Sequence, residues 1–364
     1  MSLLVKVLLS PSDAARLMRL EKTRQLNFRV LRLYADYLNY DPRFVTPETL
    51  DMLIKDCDVT PEQAFCGALS ALFGLDCDAS ADDRIISRKY LNGSVACLDP
   101  APYRSQPYIR TVSFPESSSG DWELTHGSIA PCEGFIYNDI TVMPDYTELP
   151  RLGFFRSEYT FPSVRQGGRE WMTLAPNETA TLASAVSGCF GRVITFGLGL
   201  GYFAFMASGK DCVSSVTVIE KDENAIKLFR ECILPHFPHR DKITVICADA
   251  FEYARNDMPG AGYDYALADI WHDLSDGFSP YIRFRRLALL TPGTVWSFWL
   301  EGTMLSHLRW LIFDRLRESF ESGESVFDGG EDITSFARIS DILSDDSLRI
   351  TASKIREEKG RIML

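Results

Sequence analysis

Val193-Ile194-Thr195-Phe196-Gly197-Leu198-Gly199-Leu200-Gly201 is the stretch whose reading decides the fold. A short apolar, β-branched and aromatic run passes straight into a turn with glycine at every second position, which reads as a strand, a glycine turn and the start of a helix. Glycine is needed where a backbone takes positive φ or lets a ligand approach, and the first turn of a helix offers N–H groups to polar ligand atoms. Working outward, Val216-Thr217-Val218-Ile219 is a second strand and ends at Glu220. An acid about twenty residues past the glycines can accept hydrogen bonds from both hydroxyls of a ribose. Residues 222–233 read as a helix with Ala225, Leu228, Phe229 and Cys232 on one face, and Ile243 to Cys247 as a third, buried strand. Ala248-Asp249-Ala250 then opens another short helical piece, and Tyr263 to Ala268 form a fourth strand ending at Asp269. Continuous apolar runs separated by helical segments indicate parallel strands covered on both faces, with polar residues at their carboxyl ends lining a ligand crevice.

In this order the residues resemble the class I S-adenosylmethionine-dependent methyltransferases over about residues 170–300: the Gly-x-Gly-x-Gly turn, the acid ending the second strand, an Asp after the third and an Asp after the fourth. The resemblance implies an α/β fold with a Rossmann-like, doubly wound, mostly parallel sheet, and S-adenosylmethionine as cofactor. It further implies that Gly197, Gly199 and Gly201 pass under the methionine part of that cofactor, that Glu220 holds the ribose, and that Asp249 meets the adenine amino group. Phe196, Tyr202, Lys221, Ala250 and Asp269 stand beside these positions and complete the expected cofactor site.

The chain has 364 residues, a length that favours two domains, and its hydrophobic share of 46% is ample for full cores. A formal charge of −12 argues against a partner held mainly by phosphate contacts, so nucleic acid is not expected. Nine cysteines occur without Cys-x-x-Cys pairs, and Cys189, Cys232 and Cys247 lie inside apolar segments. They read as small core residues in a reducing compartment. The opening run from Leu3 to Leu9 is interrupted by Lys6 and lacks a cleavage site, and no apolar run reaches membrane-spanning length. The expectation is a cytoplasmic protein with no membrane partner.

Four sections follow from the patterning. Residues 1–93 form a helical N-terminal domain of about four helices before residue 75, with start signals at Ser10-Pro11, Thr46-Pro47-Glu48 and Thr60-Pro61-Glu62-Gln63, the last a capping box. Leu26, Val30, Tyr34, Tyr37 and Leu38 make one apolar stripe and Phe65, Ala68, Leu69 and Leu72 another, with Gly74 placed to stop the helix. Residues 94–174 are a β-rich section crowded with aromatics, including Trp122, Phe135, Phe154, Phe155, Tyr159 and Phe161, read as a small sheet core in preference to an aromatic substrate cage. Residues 175–320 are the Rossmann-like domain. It begins with a helix from Pro176 to Ser187 whose inner face carries Leu182 and Val186, and beside which Trp171, Met172, Thr173 and Asn177 are candidates to touch the cofactor, with plain packing the preferred role of Trp171 and Met172 and no chemistry assigned to any of them. A fifth strand is expected from Val295 to Leu300 and a helix from Thr303 to Phe320, but the sixth and antiparallel seventh strands usual in the family are not evident. Residues 321–364 read as an acidic, glycine-rich linker followed by a mostly helical segment.

A sulfonium methyl is already activated, so its transfer needs mainly in-line approach and exclusion of water, plus a base when the acceptor is an amine or hydroxyl. Asp269 and His272 are the candidate catalytic residues. Asp269 serves equally well as a cofactor ligand, and Asp273 reads as the N-cap of the next helix. His126, His236, His239 and His307 have no metal-ligand spacing, so no metal is expected. The reading is thus a methyltransferase acting on a small molecule or a protein nucleophile, and it allows a homodimer. A nicotinamide oxidoreductase fits less well, because Tyr202 stands where the dinucleotide pattern needs glycine. Residues 247–273 are similar to polyamine synthases, which transfer an aminopropyl group, although Asp269 and Asp273 lie one residue further apart than the Asp-x-x-Asp of those enzymes. A non-catalytic module that keeps the cofactor fold is the third reading.

Overall fold

A computed structural model describes residues 11–322, so the expectations for the opening apolar run and for the segment beyond residue 322 lie outside the described residues. The strands in chain order are β1 (Val95–Leu98), β2 (Ser117–Ser119), β3 (Trp122–Ile129), β4 (Phe135–Val142), β5 (Glu148–Phe155), β6 (Tyr159–Gln166), β7 (Arg169–Thr173), β8 (Gly191–Phe196), β9 (Val213–Glu220), β10 (Ile243–Cys247), β11 (Tyr265–Ala268) and β12 (Val295–Phe298). The protein is α/β, and its largest sheet is five-stranded and parallel with the order β10-β9-β8-β11-β12. β8 begins this half of the chain, and the strand order reverses beside it, between β8 and β11. That switch point opens a crevice at the carboxyl ends of the two strands. Pairing is carried to the strand ends: Asp269 N–H donates to the Phe196 carbonyl at 2.9 Å, and Ala248 N–H to the Glu220 carbonyl at 2.9 Å. Both acids are therefore placed by ladder geometry.

Several boundaries differ from the sequence reading. The first apolar stripe belongs to one 30-residue helix, Pro11–Tyr40, so three helices and not four reach residue 72, the others being Pro47–Cys57 and Pro61–Leu72. β10 is half-exposed where a buried strand was expected, because it is the edge of its sheet and has a partner only in β9. The helix Glu223–Leu228 runs into a π-helical turn, Phe229–Ile233. Its wider pitch rotates the face by one position, so Ile233 is buried and Cys232 is not. On the helix Pro176–Gly188 it is Ala185, and not Val186, that joins Leu182 in the core. β11 starts at Tyr265, and β12 stops at Phe298. Leu300 then takes a left-handed φ of 51°, which starts the last helix at Glu301.

Residues 30–141 and 149–301 form one compact unit, which contains the parallel sheet. Within it two smaller sheets, β1-β5-β4 and β2-β3-β6-β7, take up the aromatics of the β-rich section. Ile129, Phe155, Tyr159 and Phe161 form one buried cluster, with Phe135 packed against it. Phe65, from the helix Pro61–Leu72, stacks on Phe154 of β5 at 4.2 Å between ring centres. Packing this extensive uses the rings as core, since each buried aromatic removes a large apolar area from water.

Among the described residues the other unit comprises 11–29, 142–148 and 302–322. In its described part Glu148 is buried and accepts hydrogen bonds from the Ser306 hydroxyl and, at 2.6 Å, from Trp310 Nε1–H, while its backbone N–H donates to Asn27 Oδ1 at 3.1 Å. Arg24 pairs with Asp314 at 2.7 Å. Among the described residues no helix is long and apolar enough to cross a membrane.

Candidate active site

All three glycines of the turn after β8 have positive φ: 101° at Gly197, 48° at Gly199 and 73° at Gly201. Their surroundings differ. A β-carbon at Gly197 would overlap the backbone carbonyl of Asp269, and one at Gly201 would overlap the Phe229 ring that the π-turn presents. Two of the three glycines are thus required by close approach within the protein itself. At Gly199 the obstacle is Met172 Sδ, which also accepts the Leu200 N–H at 3.3 Å. Met172 belongs to β7, so this strand lies across the mouth of the turn. From below, the buried Tyr108 hydroxyl donates to the Leu200 carbonyl, and the Tyr108 ring meets Tyr202 at 5.4 Å. Tyr202 is buried in that aromatic cluster with Phe205, a packing position. Phe196 is fully enclosed, with its ring 5.0 Å from Phe284 and stacked at 5.8 Å on Trp296, and it meets the site only through its backbone.

Glu220 ends β9 and faces the turn. Its Oε1 accepts the N–H groups of Lys221 and Asp222 at 2.7 and 3.0 Å, and its Oε2 accepts the Leu198 N–H at 3.3 Å. The carboxylate is held by three backbone donors, and its longest bond is the one an incoming pair of hydroxyls would exchange most readily. Lys221 is exposed. Asp249 caps the helix Ala250–Asn256 through Oδ1, with Phe251 and Glu252 N–H at 2.9 and 3.0 Å, and stands exposed at the same strand-end level. The sheet therefore brings Gly197, Glu220, Asp249 and Asp269 to one edge.

Asp269 is half-buried, and its surroundings push its carboxyl from 3.8 up to about 7 through burial. Glu178, in the first turn of the helix Pro176–Gly188, is raised well above the ordinary range by burial first, then by the charges of Asp269 and Glu170. Sequence reasoning missed Glu178 and Glu170. An acid in a helix's first turn is what the helix dipole favours anywhere, so Glu178 carried no separate signal. Glu170 lies on β7, which strand periodicity alone does not place over the crevice.

Beyond Asp269, Asp273 caps the helix Leu274–Ala288, accepting the Ser275 N–H at 2.6 Å. Asp276 closes the capping box. Its Oδ1 accepts the His272 and Asp273 N–H groups, both at 3.0 Å, and its Oδ2 meets His272 Nδ1 at 2.8 Å. Burial alone would raise Asp276, but the imidazole and the two backbone donors outweigh it and hold the carboxyl below its ordinary value. Among the described residues His272 Nε2 is buried without a hydrogen-bond partner. The His272 ring stands edge-on to Trp171 of β7 at 4.3 Å, and Trp171 in turn meets Trp122 of β3 at 5.5 Å. Trp171 and Met172, consecutive on β7, thereby roof the crevice. Among the described residues no group of three His, Cys, Asp or Glu side chains is placed to hold a metal ion.

These residues fit an adenosyl cofactor carrying an amino-acid tail. Two carboxylates stand at the ends of the second and third strands, a glycine turn ends the first, and what lies over the middle glycine is a thioether on a flexible side chain that can move aside. The chain matches no family model and no curated protein. Among solved structures it is similar to a probable spermidine synthase from Corynebacterium glutamicum ATCC 13032, with 16% identity and a TM-score of 0.27, over 37% of this chain and 53% of that one. The chain thus spans about half the length of that structure.

Proposed function

We propose that the chain is a transferase that binds S-adenosylmethionine along the carboxyl ends of β8, β9, β10 and β11 and moves its methyl group to a nucleophile, most simply that of a small molecule. The observation that carries this reading is the alignment of the glycine turn, Glu220, Asp249 and Asp269 along the carboxyl edge of one parallel sheet, with the turn and Asp269 flanking its switch point. Bound there, the cofactor supplies a methyl on a positively charged sulfur. The chain's own part is to hold the ribose on Glu220, to exclude water beneath Trp171, and to accept a proton at Asp269 or His272. The acidic chain and its nine free cysteines suit a cytoplasmic enzyme that avoids nucleic acid.

A second reading, aminopropyl transfer, draws support from the acids Glu170, Glu178 and Asp269, which would suit a polycationic amine. Calorimetry with S-adenosylmethionine, its demethylated product and its decarboxylated form tests both readings. Saturable binding of the first two supports methyl transfer, and preference for the decarboxylated form supports the alternative. Glu220→Ala should weaken binding by about ten- to a hundredfold, the loss expected for hydrogen bonds to a charged group. Absence of binding for all three would remove the proposal. Binding without transfer to any amine, hydroxyl or protein acceptor, followed by mass spectrometry, would leave a non-catalytic module.

A further inference from the structure

We infer that Asp276 is a positioning residue that fixes His272 with its proton on Nδ1, so that the unpartnered Nε2 is the atom that accepts the proton of the methyl acceptor; this rests on the proposed S-adenosylmethionine reading. Three observations meet here. The Asp276 carboxylate lies 2.8 Å from Nδ1 and can only accept, so a neutral ring must carry its proton on that nitrogen. The backbone N–H of His272 is tied to the same carboxylate at 3.0 and 3.2 Å, and Trp171 packs across the ring, so main chain and imidazole are both held. Nε2 is buried with no partner among the described residues, three positions beyond Asp269 at the switch point. A buried acceptor left unmatched costs stability, and such a cost persists where function uses the atom.

With the proposed donor bound, Nε2 would take the proton of the acceptor's N–H or O–H bond as the acceptor's electron pair forms the bond to the methyl carbon, and the carbon–sulfur electron pair would leave with the neutral demethylated product. The charge gained by the imidazole is balanced by Asp276, and Asp269 and Glu178 remain available to meet positive charge.

Asp276→Asn makes a sharp test. Its Oδ1 can keep the capping bonds to His272 and Asp273, while an NH2 group in place of Oδ2 would donate to Nδ1 and drive the ring proton onto Nε2. Nitrogen NMR of the histidine-labelled full chain should show the Nδ1–H form in the wild type and the Nε2–H form in the variant. Nε2–H in the wild type would overturn the inference, and that measurement needs no variant. The second arm uses a cofactor analogue with an amine in place of the methyl-bearing sulfonium. Asp276→Asn should weaken this analogue by about tenfold, one lost charge-assisted hydrogen bond, and the demethylated product less than twofold. Equal losses, or none, would make Asp276 a helix cap and nothing more. If neither ligand binds the wild type, the cofactor reading fails and the base role falls with it, while the tautomer still reports whether Asp276 orients the ring.

Discussion

A β-carbon on Gly197 would overlap the backbone carbonyl of Asp269, whereas one on Gly199 would meet only the Met172 thioether. The two glycines of one motif therefore carry different constraints. The Asp269 carbonyl belongs to a chain fixed by the Asp269 N–H bond to Phe196, and it cannot retreat without breaking the β8–β11 pairing. Gly197→Ala should cost about 3 kcal/mol or more in chemical denaturation, combining left-handed strain with overpacking. Gly199→Ala should cost about 1–2 kcal/mol, the strain alone, because a flexible side chain can swing aside. Equal stabilities for the two variants would contradict this division.

Met172 occupies the space over Gly199, and its sulfur takes the Leu200 N–H. A ligand tail crossing the turn must displace it. Met172→Ala removes that competition, so affinity for S-adenosylmethionine should rise about three- to tenfold by calorimetry, the equivalent of one weak contact no longer broken on binding. A fall in affinity of that size would mean instead that Met172 packs on the bound ligand.

The parallel sheet was legible in the sequence because each strand is a short apolar run with a polar residue or a glycine at its end. Glycine follows Phe196, Glu220 closes the second strand, Asp249 follows the third and Asp269 the fourth. The capping role of Asp273 was legible for the same local reason. What could not be read was set by contacts remote in sequence. The edge position of β10 depends on which strands pair, not on its own residues. The rotation from Cys232 to Ile233 comes from a π-turn that seats Phe229 against Gly201, a contact no periodicity reveals. Glu178 reaches Asp269 across about ninety residues of chain, and its helix position has an ordinary explanation in the dipole.

The raised carboxyls give a pH dependence with a definite sign. A native Asp269 near 7, against 3.8 ordinarily, holds a proton that the unfolded chain has already released between those values, so stability falls as pH rises through that window. Below about pH 4 both states are protonated and the effect vanishes; above 7 it is complete. Glu178 acts in the same direction, through burial and then the neighbouring charges. Asp269→Asn and Glu178→Gln should each leave stability nearly unchanged at pH 4 and raise it at pH 8 by on the order of 1–3 kcal/mol, since both sites keep some opening to solvent. Denaturation curves at the two pH values measure this, and a variant less stable at pH 8 than the wild type would refute it.

The same carboxyls should report the charge of the ligand. If a sulfonium settles near Asp269 and Glu178, its positive charge favours their ionised forms, lowers both pKa values and expels protons on binding. Near pH 7, where the raised Asp269 carboxyl is still partly protonated, S-adenosylmethionine should release a measurable fraction of a proton. The calorimetric enthalpy would then differ between buffers of high and low ionisation enthalpy by that fraction of the buffer difference. The demethylated product lacks the sulfonium charge and should release distinctly less, and Glu178→Gln should reduce the release seen with S-adenosylmethionine. Identical buffer dependence for the two ligands would place the sulfonium away from these acids. In that case Asp269 and Glu178 would be free to hold a cationic acceptor, and proton release should appear instead when an amine such as a diamine is titrated into the complex with the demethylated product.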